Sequence, residues 1–357
     1  MDWFAGRLLP WFDTHGRKDL PWQQEINAYR VWISEIMLQQ TQVTTVIPYF
    51  QRFMTRFPTV ADLAAADLDE VLHHWTGLGY YARARNLHRT ARQITREHNG
   101  HFPEDPHELE RLPGIGRSTA AAIAAIAYRR RAAILDGNVK RVLARYHAVP
   151  GHPGQSLTSK TLWAHAEAHT PDQQVGDYTQ AIMDLGATLC TRSRPRCADC
   201  PVSERCEAHN REATGRYPER RPARGKPERA ARMFLFVDAA GACLLERRPP
   251  EGLWGGLWTP PERPADTSLE TACREFGIAS QTVVRHHNAP AFRHTFTHFH
   301  LDIEPVYVFL TRRPDVVSDG EDRLWYAADA PSPVGLSVPA AKLLDSITQQ
   351  RQEFRLS

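Results

Sequence analysis

Leu112-Pro-Gly-Ile-Gly-Arg-Ser-Thr-Ala120 is a tight turn set between two stretches of helical texture. Gly114 and Gly116 permit backbone conformations that other residues resist. The run that follows, Ser118 to Tyr128, is alanine-rich, offers Ile123 and Ile126 for contact, and reads as a helix. Its first amide N–H groups open onto the turn, which suits a phosphate oxygen. The stretch predicts a helix–hairpin–helix clamp on a DNA backbone; an ordinary interhelical turn is the plainer alternative.

The helical texture extends to both sides. Val31 to Val43, Leu63 to His74, Asn138 to Tyr146 and Tyr178 to Leu189 carry helical patterns, so residues 1–208 predict an all-α domain. Near its end stand four cysteines, Cys190-x6-Cys197-x2-Cys200-x5-Cys206, with Pro201 directly after the third. Four thiolates at loop spacing can close around a 4Fe–4S cluster. Zinc ranks second, because the loop holds no histidine and only one C-x2-C knuckle. Disulfides rank third, because the first twelve residues do not form a signal peptide. Cys243 and Cys273 lie far from the loop and read as buried apolar side chains. No apolar stretch approaches a membrane span. The expectation is a soluble monomer of the cytoplasm or nucleoid.

A chain of 357 residues has material for two cores. Beyond residue 232 the texture changes. Met233 to Asp238 reads as a strand, Gly241 as a turn, Ala242 to Glu246 as the strand's partner, and Val306 to Leu310 as another strand. Residues 233–357 thus predict a smaller α+β domain. Residues 209–232 hold eight Arg or Lys against three acids, a local charge of +5 in a chain of +3. With Pro218, Pro222 and Pro227 the segment reads as an interdomain linker, its basic run either lying along phosphates or simply solvated.

Hairpin and cysteine loop together resemble the endonuclease III-like DNA glycosylases. Within that superfamily, Ser34-Glu-Ile-Met-Leu-Gln-Gln-Thr-Gln-Val43, Gly77-Leu-Gly-Tyr-Tyr81 and Leu135-Asp-Gly-Asn-Val-Lys-Arg141 are similar to adenine DNA glycosylases of the MutY type. The resemblance runs from about Leu20 into the C-terminal half. It implies a helix–hairpin–helix glycosylase core with a 4Fe–4S cluster loop, plus an α+β Nudix-like C-terminal domain. The implied substrate is double-stranded DNA carrying adenine opposite 8-oxoguanine or guanine.

Removing adenine needs an acid near the base, because the ring leaves poorly unless protonated. Glu35 is the candidate, and its neighbours Trp32, Ile33, Ile36, Met37 and Leu38 would raise its pKa. Asp136 is the candidate carboxylate for the positive charge left on the deoxyribose, and a helix starting after it would favour its ionised form. Bifunctional relatives carry a Schiff-base lysine two residues after the second hairpin glycine; here Ser118 stands there, which predicts base removal without strand cleavage. Lys140, on the helix after Asp136, is expected to meet phosphate. By resemblance, Gln40 and Tyr80 enter the duplex when the adenine is unstacked, and Trp22, Leu38 and Gln180 line the adenine pocket. Gln23 falls where some relatives carry arginine.

In the second half, Trp254-Gly-Gly-Leu-Trp-Thr-Pro260 and Phe292-Arg-His-Thr-Phe-Thr-His-Phe-His300 resemble the Nudix-related domain of the same family. A working Nudix hydrolase needs clustered glutamates for magnesium. Cys273-Arg-Glu-Phe-Gly277 has only Glu275, so the domain reads as a binding module. Oxidation turns guanine N7 from an acceptor into a donor and adds a carbonyl oxygen. Thr297, between Phe296 and His298, is the hydroxyl expected to read both, where the usual residue is serine. Competing readings are a glycosylase for oxidised pyrimidines, a silent lesion-binding protein and a nucleotide-pool hydrolase. The missing lysine, the Glu35 and Asp136 pair, and the missing glutamates count against them in turn.

Overall fold

The computed structural model describes residues 2–221, 225–314, 320 and 322–355, so Pro222 and Arg224 of the basic segment lie outside it. The described chain first runs through helices α1 (Trp3–His15), α2 (Ala28–Leu38), α3 (Val43–Arg56), α4 (Val60–Ala65), α5 (Leu68–Trp75) and α6 (Ala82–Glu97). It continues through α7 (Pro106–Glu110), α8 (Arg117–Tyr128), α9 (Gly137–Tyr146), α10 (Ser156–His169), α11 (Val175–Asp184) and α12 (Glu207–Asn210). Then come β1 (Glu228–Val237), β2 (Cys243–Arg247), β3 (Trp258–Thr259), β4 (Glu262–Pro264) and α13 (Leu269–Glu275). Strands β5 (Val283–Asn288), β6 (Phe292–Thr295), β7 (His300–Leu310) and β8 (Arg323–Tyr326) precede α14 (Val338–Arg355). No helix among the described residues is long and apolar enough to cross a membrane.

Two of the expected helices break. The pattern from Val31 to Val43 ends at Leu38, because Gln40 takes a left-handed conformation with φ 58°. The pattern from Leu63 to His74 is split into α4 and α5, with Asp67 extended before the second. Both breaks follow local backbone choices that a hydrophobic period does not register. The alanines of α8 do what their size allows. Ala120 to Ala125 are buried, and a Cβ on Gly176 of α11 would stand 3.0 Å from the Ala125 carbonyl oxygen, so the two helices pack closely.

Contacts divide the chain into two units, Met1–Ala65 with Asn86–Ala223, and Ala66–Arg85 with Arg224–Ser357. The first has a core that includes Phe4, Leu8, Leu135, Val139, Leu143, Leu162 and Ile182. The second is built on an eight-stranded mixed sheet with the path β3-β2-β1-β7-β5; β4, β6 and β8 pair with β1, β7 and β2. β1 runs parallel to β7 from Glu228 opposite His300 to Val237 opposite Phe309. Met233 to Val237 are all fully buried, as a central strand covered on both faces requires.

The second unit draws in a piece of the helical half. Arg247 meets Asp69 of α5 at 2.6 Å, and His73 Nδ1 lies 3.3 Å from the Val334 carbonyl. Tyr81 Oη donates to the Leu336 carbonyl at 3.3 Å, and Arg85 Nη1 to the Gly255 carbonyl at 2.6 Å. Gly335 has no room for a Cβ beside Leu72. Residues 66–85 therefore pack with β2 and the loops of the sheet unit, although they stand far before them in the chain.

Candidate active site

Glu35 lies on the middle of α2, between Ser34 and Ile36, both buried. The residue is half-buried, with protein crowding its carboxyl group. Burial pushes its pKa up to about 8, and the nearby Asp136 adds to the push. Asp136 is the N-cap of α9, and its Oδ1 accepts from the Val139 N–H at 2.7 Å. It follows the buried run Ala133-Ile134-Leu135. The cap bonds from Val139 and Asn138, with Arg141 and Lys140, pull its pKa down, yet burial outweighs them and the net direction is upward. The helix start does favour the ionised form, as expected, but desolvation is the larger effect.

The hairpin sits between α7 and α8. Gly114 takes φ +78°, and a Cβ there would collide with Asn86 of α6. Gly116 behaves differently from the expectation. It is the N-cap of α8 with an ordinary φ of −91°, and its contribution is open space, since nothing lies within 4 Å of where a Cβ would be. Among the described residues no side chain caps the start of α8. Ser118, on the first turn, uses its Oγ to accept the Leu135 N–H at 3.1 Å, which ties the hairpin helix to the irregular segment entering Asp136. Lys140 is half-buried on α9, and Gln40 is exposed at the break after α2.

Trp22 is buried edge-on against Phe50, with ring centroids 5.6 Å apart, so it is a core residue as well as a pocket candidate. Gln180 on α11 accepts from Gln23 Nε2 at 3.1 Å, and both line a cavity of about 230 Å³ with Phe12 and Ile126. Trp22 and Leu38 do not line that cavity.

All four cysteines of the loop line one cavity, with Val142, Leu185, Leu189 and Val202 as apolar walls. None forms a disulfide. Burial raises the thiol pKa of Cys200 to about 12 and moves those of Cys197 and Cys206 in the same direction. The four half-buried cysteines border one cavity, and although no three ligating side chains among the described residues stand close enough to hold a single metal ion, an all-thiol donor set is the kind that a larger iron–sulfur cluster takes. Arg141 donates to the Cys190 carbonyl at 2.7 Å, to the Gly186 carbonyl at 2.6 Å and to Asn138 Oδ1 at 2.8 Å.

In the second unit, Phe296, Thr297 and His298 form the tip between β6 and β7, closed by Phe296 N–H donating to the Phe299 carbonyl at 2.9 Å. The Phe296 ring stacks on Phe299 at 4.5 Å and packs against Trp254, which leaves Thr297 and His298 exposed. Thr297 Oγ1 lies 2.8 Å from the Tyr80 hydroxyl. Tyr80 is 45% exposed at φ 49°, after Gly77 and Gly79, both also at positive φ. Arg83 braces this loop by donating to the Leu78 and Gly79 carbonyls at 3.3 and 3.0 Å, under the Tyr80 ring. Trp75 Nε1 adds a bond to the Gly79 carbonyl at 3.0 Å. Glu275 on α13 is held by Arg263, which also binds Glu246, so these carboxylates face arginine.

Residues 33–168 match the HhH-GPD superfamily of base excision DNA repair proteins, and residues 232–346 match the NUDIX domain. The adenine DNA glycosylase of Buchnera aphidicola subsp. Acyrthosiphon pisum (strain APS) is 35% identical over 96% of this chain and 97% of its own length. This chain belongs to the adenine DNA glycosylases. The adenine DNA glycosylase of Homo sapiens is 36% identical over 84% of this chain and 65% of that protein. Among solved structures, a thermostable thymine-DNA glycosylase aligns with a TM-score of 0.53 and 28% identity, covering 58% of this chain and 95% of that one.

As an adenine DNA glycosylase, the protein is a base-excision-repair enzyme that acts on DNA. Its sequence candidates fall into two structural groups. Glu35, Asp136, Ser118, Lys140, Gln40, Gln180, the hairpin and the cysteines lie in the first unit; Tyr80, Phe296, Thr297 and His298 lie in the second. The sequence reading passed over Arg83 and Arg145, whose partners are backbone carbonyls that no motif marks.

Proposed function

We propose that this glycosylase removes adenine mispaired with 8-oxoguanine or guanine, with Glu35 as the acid and Asp136 as the stabilising carboxylate. The observation that carries the reading is a carboxyl group held protonated to about pH 8 beside a second, capped carboxyl. Glu35 gives its proton to a ring nitrogen of adenine. The bond from C1′ to the base then breaks, and its electron pair leaves with the base. The ionised Asp136 faces the oxocarbenium charge left on the sugar. Water adds to C1′ and returns a proton to Glu35, leaving an abasic site. Ser118 offers no amine, so the strand stays intact.

Gln40 and Tyr80 fill the space vacated by the extruded nucleotide, and Trp22, Leu38 and Gln180 line the base pocket. Phe296, Thr297 and His298 read the opposite base, with the Thr297 hydroxyl accepting from the 8-oxoguanine N7–H. Gly114, Gly116 and Lys140 hold backbone phosphate. The four cysteines hold a 4Fe–4S cluster, which when bound orders the loop bearing Arg192, Arg194 and Arg196. The deciding assay incubates duplexes carrying A:8-oxoG, A:G and an oxidised pyrimidine, and scores base release before and after alkali. Release of adenine from the first two, revealed as breaks only after alkali, supports the reading. Release of the oxidised pyrimidine instead overturns it.

A further inference from the structure

Arg145 is 3% exposed on α9, and arginine is rarely buried so fully without an anionic partner. Among the described residues no carboxylate lies within salt-bridge distance of it. Its Nε donates to the carbonyls of Thr214 and Tyr217, each at 3.0 Å. Its Nη1 donates to the Thr191 carbonyl at 2.7 Å, and to the Cys190 carbonyl and Sγ, both at 3.3 Å. Its Nη2 donates to the Arg192 carbonyl at 3.1 Å. Its own carbonyl lies 3.6 Å from Cys206 Sγ. Arg145 and Thr214 also line the cavity of the four cysteines.

One guanidinium thus joins two stretches of chain, the first cysteine with the two residues after it and the segment that leads out of the first unit. The last cysteine meets the same residue only through its backbone carbonyl. Carbonyl oxygens satisfy its donors but supply no net charge, and an uncompensated buried cation is costly. Four cysteine thiolates around an iron–sulfur core carry net negative charge, which lies beside this cation when the core is bound.

We infer that Arg145 is a positioning residue through which the loaded cysteine site fastens the connector at Thr214–Tyr217. The inference rests on the reading of the four cysteines as a cluster site. Without the cluster, the charge that keeps the guanidinium in place is gone, and the connector is released with it.

The test is limited trypsin digestion of the iron-loaded full chain, following cleavage after exposed Arg216, with iron measured on every sample. Wild type is compared with Arg145→Lys and Arg145→Gln, and with wild type stripped of iron. Cleavage after exposed Arg111, outside the connector, is the internal reference. Arg145→Lys keeps the charge but loses the planar fork. With iron retained, it should be cut after Arg216 about tenfold faster than wild type, since local opening there no longer breaks charge-assisted hydrogen bonds. Stripped wild type should show the same selective acceleration, which keeps the test decisive if either variant fails to fold. Iron-loaded variants cut at the wild-type rate, or stripped wild type with Arg216 still protected, overturn the inference alone. Anaerobically purified protein with no iron overturns the cluster reading and this inference together.

Discussion

At the scale of single residues, Glu35 has consequences for both rate and stability. A proton donor with a pKa of about 8 keeps its proton below that pH, so single-turnover excision should be flat toward neutrality and fall about tenfold per unit above pH 8. The acid limb should sit above the usual aspartate range, because burial raises Asp136. Glu35→Gln should lower the rate by about 10²–10⁴-fold while mismatch binding persists. The same shift has a sign for folding. The folded chain holds the Glu35 proton up to about pH 8, whereas the unfolded chain releases it in the ordinary glutamate range. Stability therefore falls as pH rises across that window. Glu35→Gln should melt at a higher temperature than wild type at pH 8, with the gap closing toward pH 5; thermal scans at both pH values check this. Thr297 makes a separate prediction. A neutral hydrogen bond contributes about 0.5–1.5 kcal/mol, so Thr297→Val should slow A:8-oxoG excision by at most about tenfold and A:G less. Equal losses on both duplexes would show that the hydroxyl serves the Tyr80 loop rather than the lesion.

At the scale of elements, legibility followed the range of the forces involved. The α8 helix, its glycine turn and the buried β1 strand were plain in the sequence, because alanine content, Gly114 and a continuous apolar run are local signals. The ends of α2 and the split between α4 and α5 were not, because left-handed Gln40 and extended Asp67 interrupt periods that continue past them. Within the candidate site, motif and apolar setting mark Glu35 and Asp136 in the sequence, and the structure adds that desolvation outweighs the cap at Asp136. Arg83 went unseen because its partners, the Leu78 and Gly79 carbonyls, have no sequence signature. Replacing it with methionine should loosen the Tyr80 loop and weaken duplex distortion, read as reduced fluorescence of 2-aminopurine next to the target, with the A:G and A:8-oxoG rates falling together. The cysteine loop predicts brown protein containing iron and sulfide. Replacing Cys197 or Cys200 should remove the colour, and stoichiometric zinc without iron would falsify the cluster.

At the scale of the molecule, the two units do not follow the order of the chain. Residues 66–85 come early but pack with the sheet unit that closes it, through Asp69, His73, Tyr81 and Arg85. Deleting residues 233–357 tests the lesion reader, but it removes more than the reader. The deletion removes Thr297, and it also strips the support from α5 and the Tyr80 loop. Excision should fall on A:G as well as on A:8-oxoG, with the larger loss on A:8-oxoG, in single-turnover assays of the truncated chain. The braid also bears on how such a protein can be assembled over evolutionary time. A C-terminal module acquired by simple end-to-end fusion would need no matching surface inside its host. This one packs with residues 66–85, so exchanging it between lineages demands that an early stretch of the gene and its last third change together.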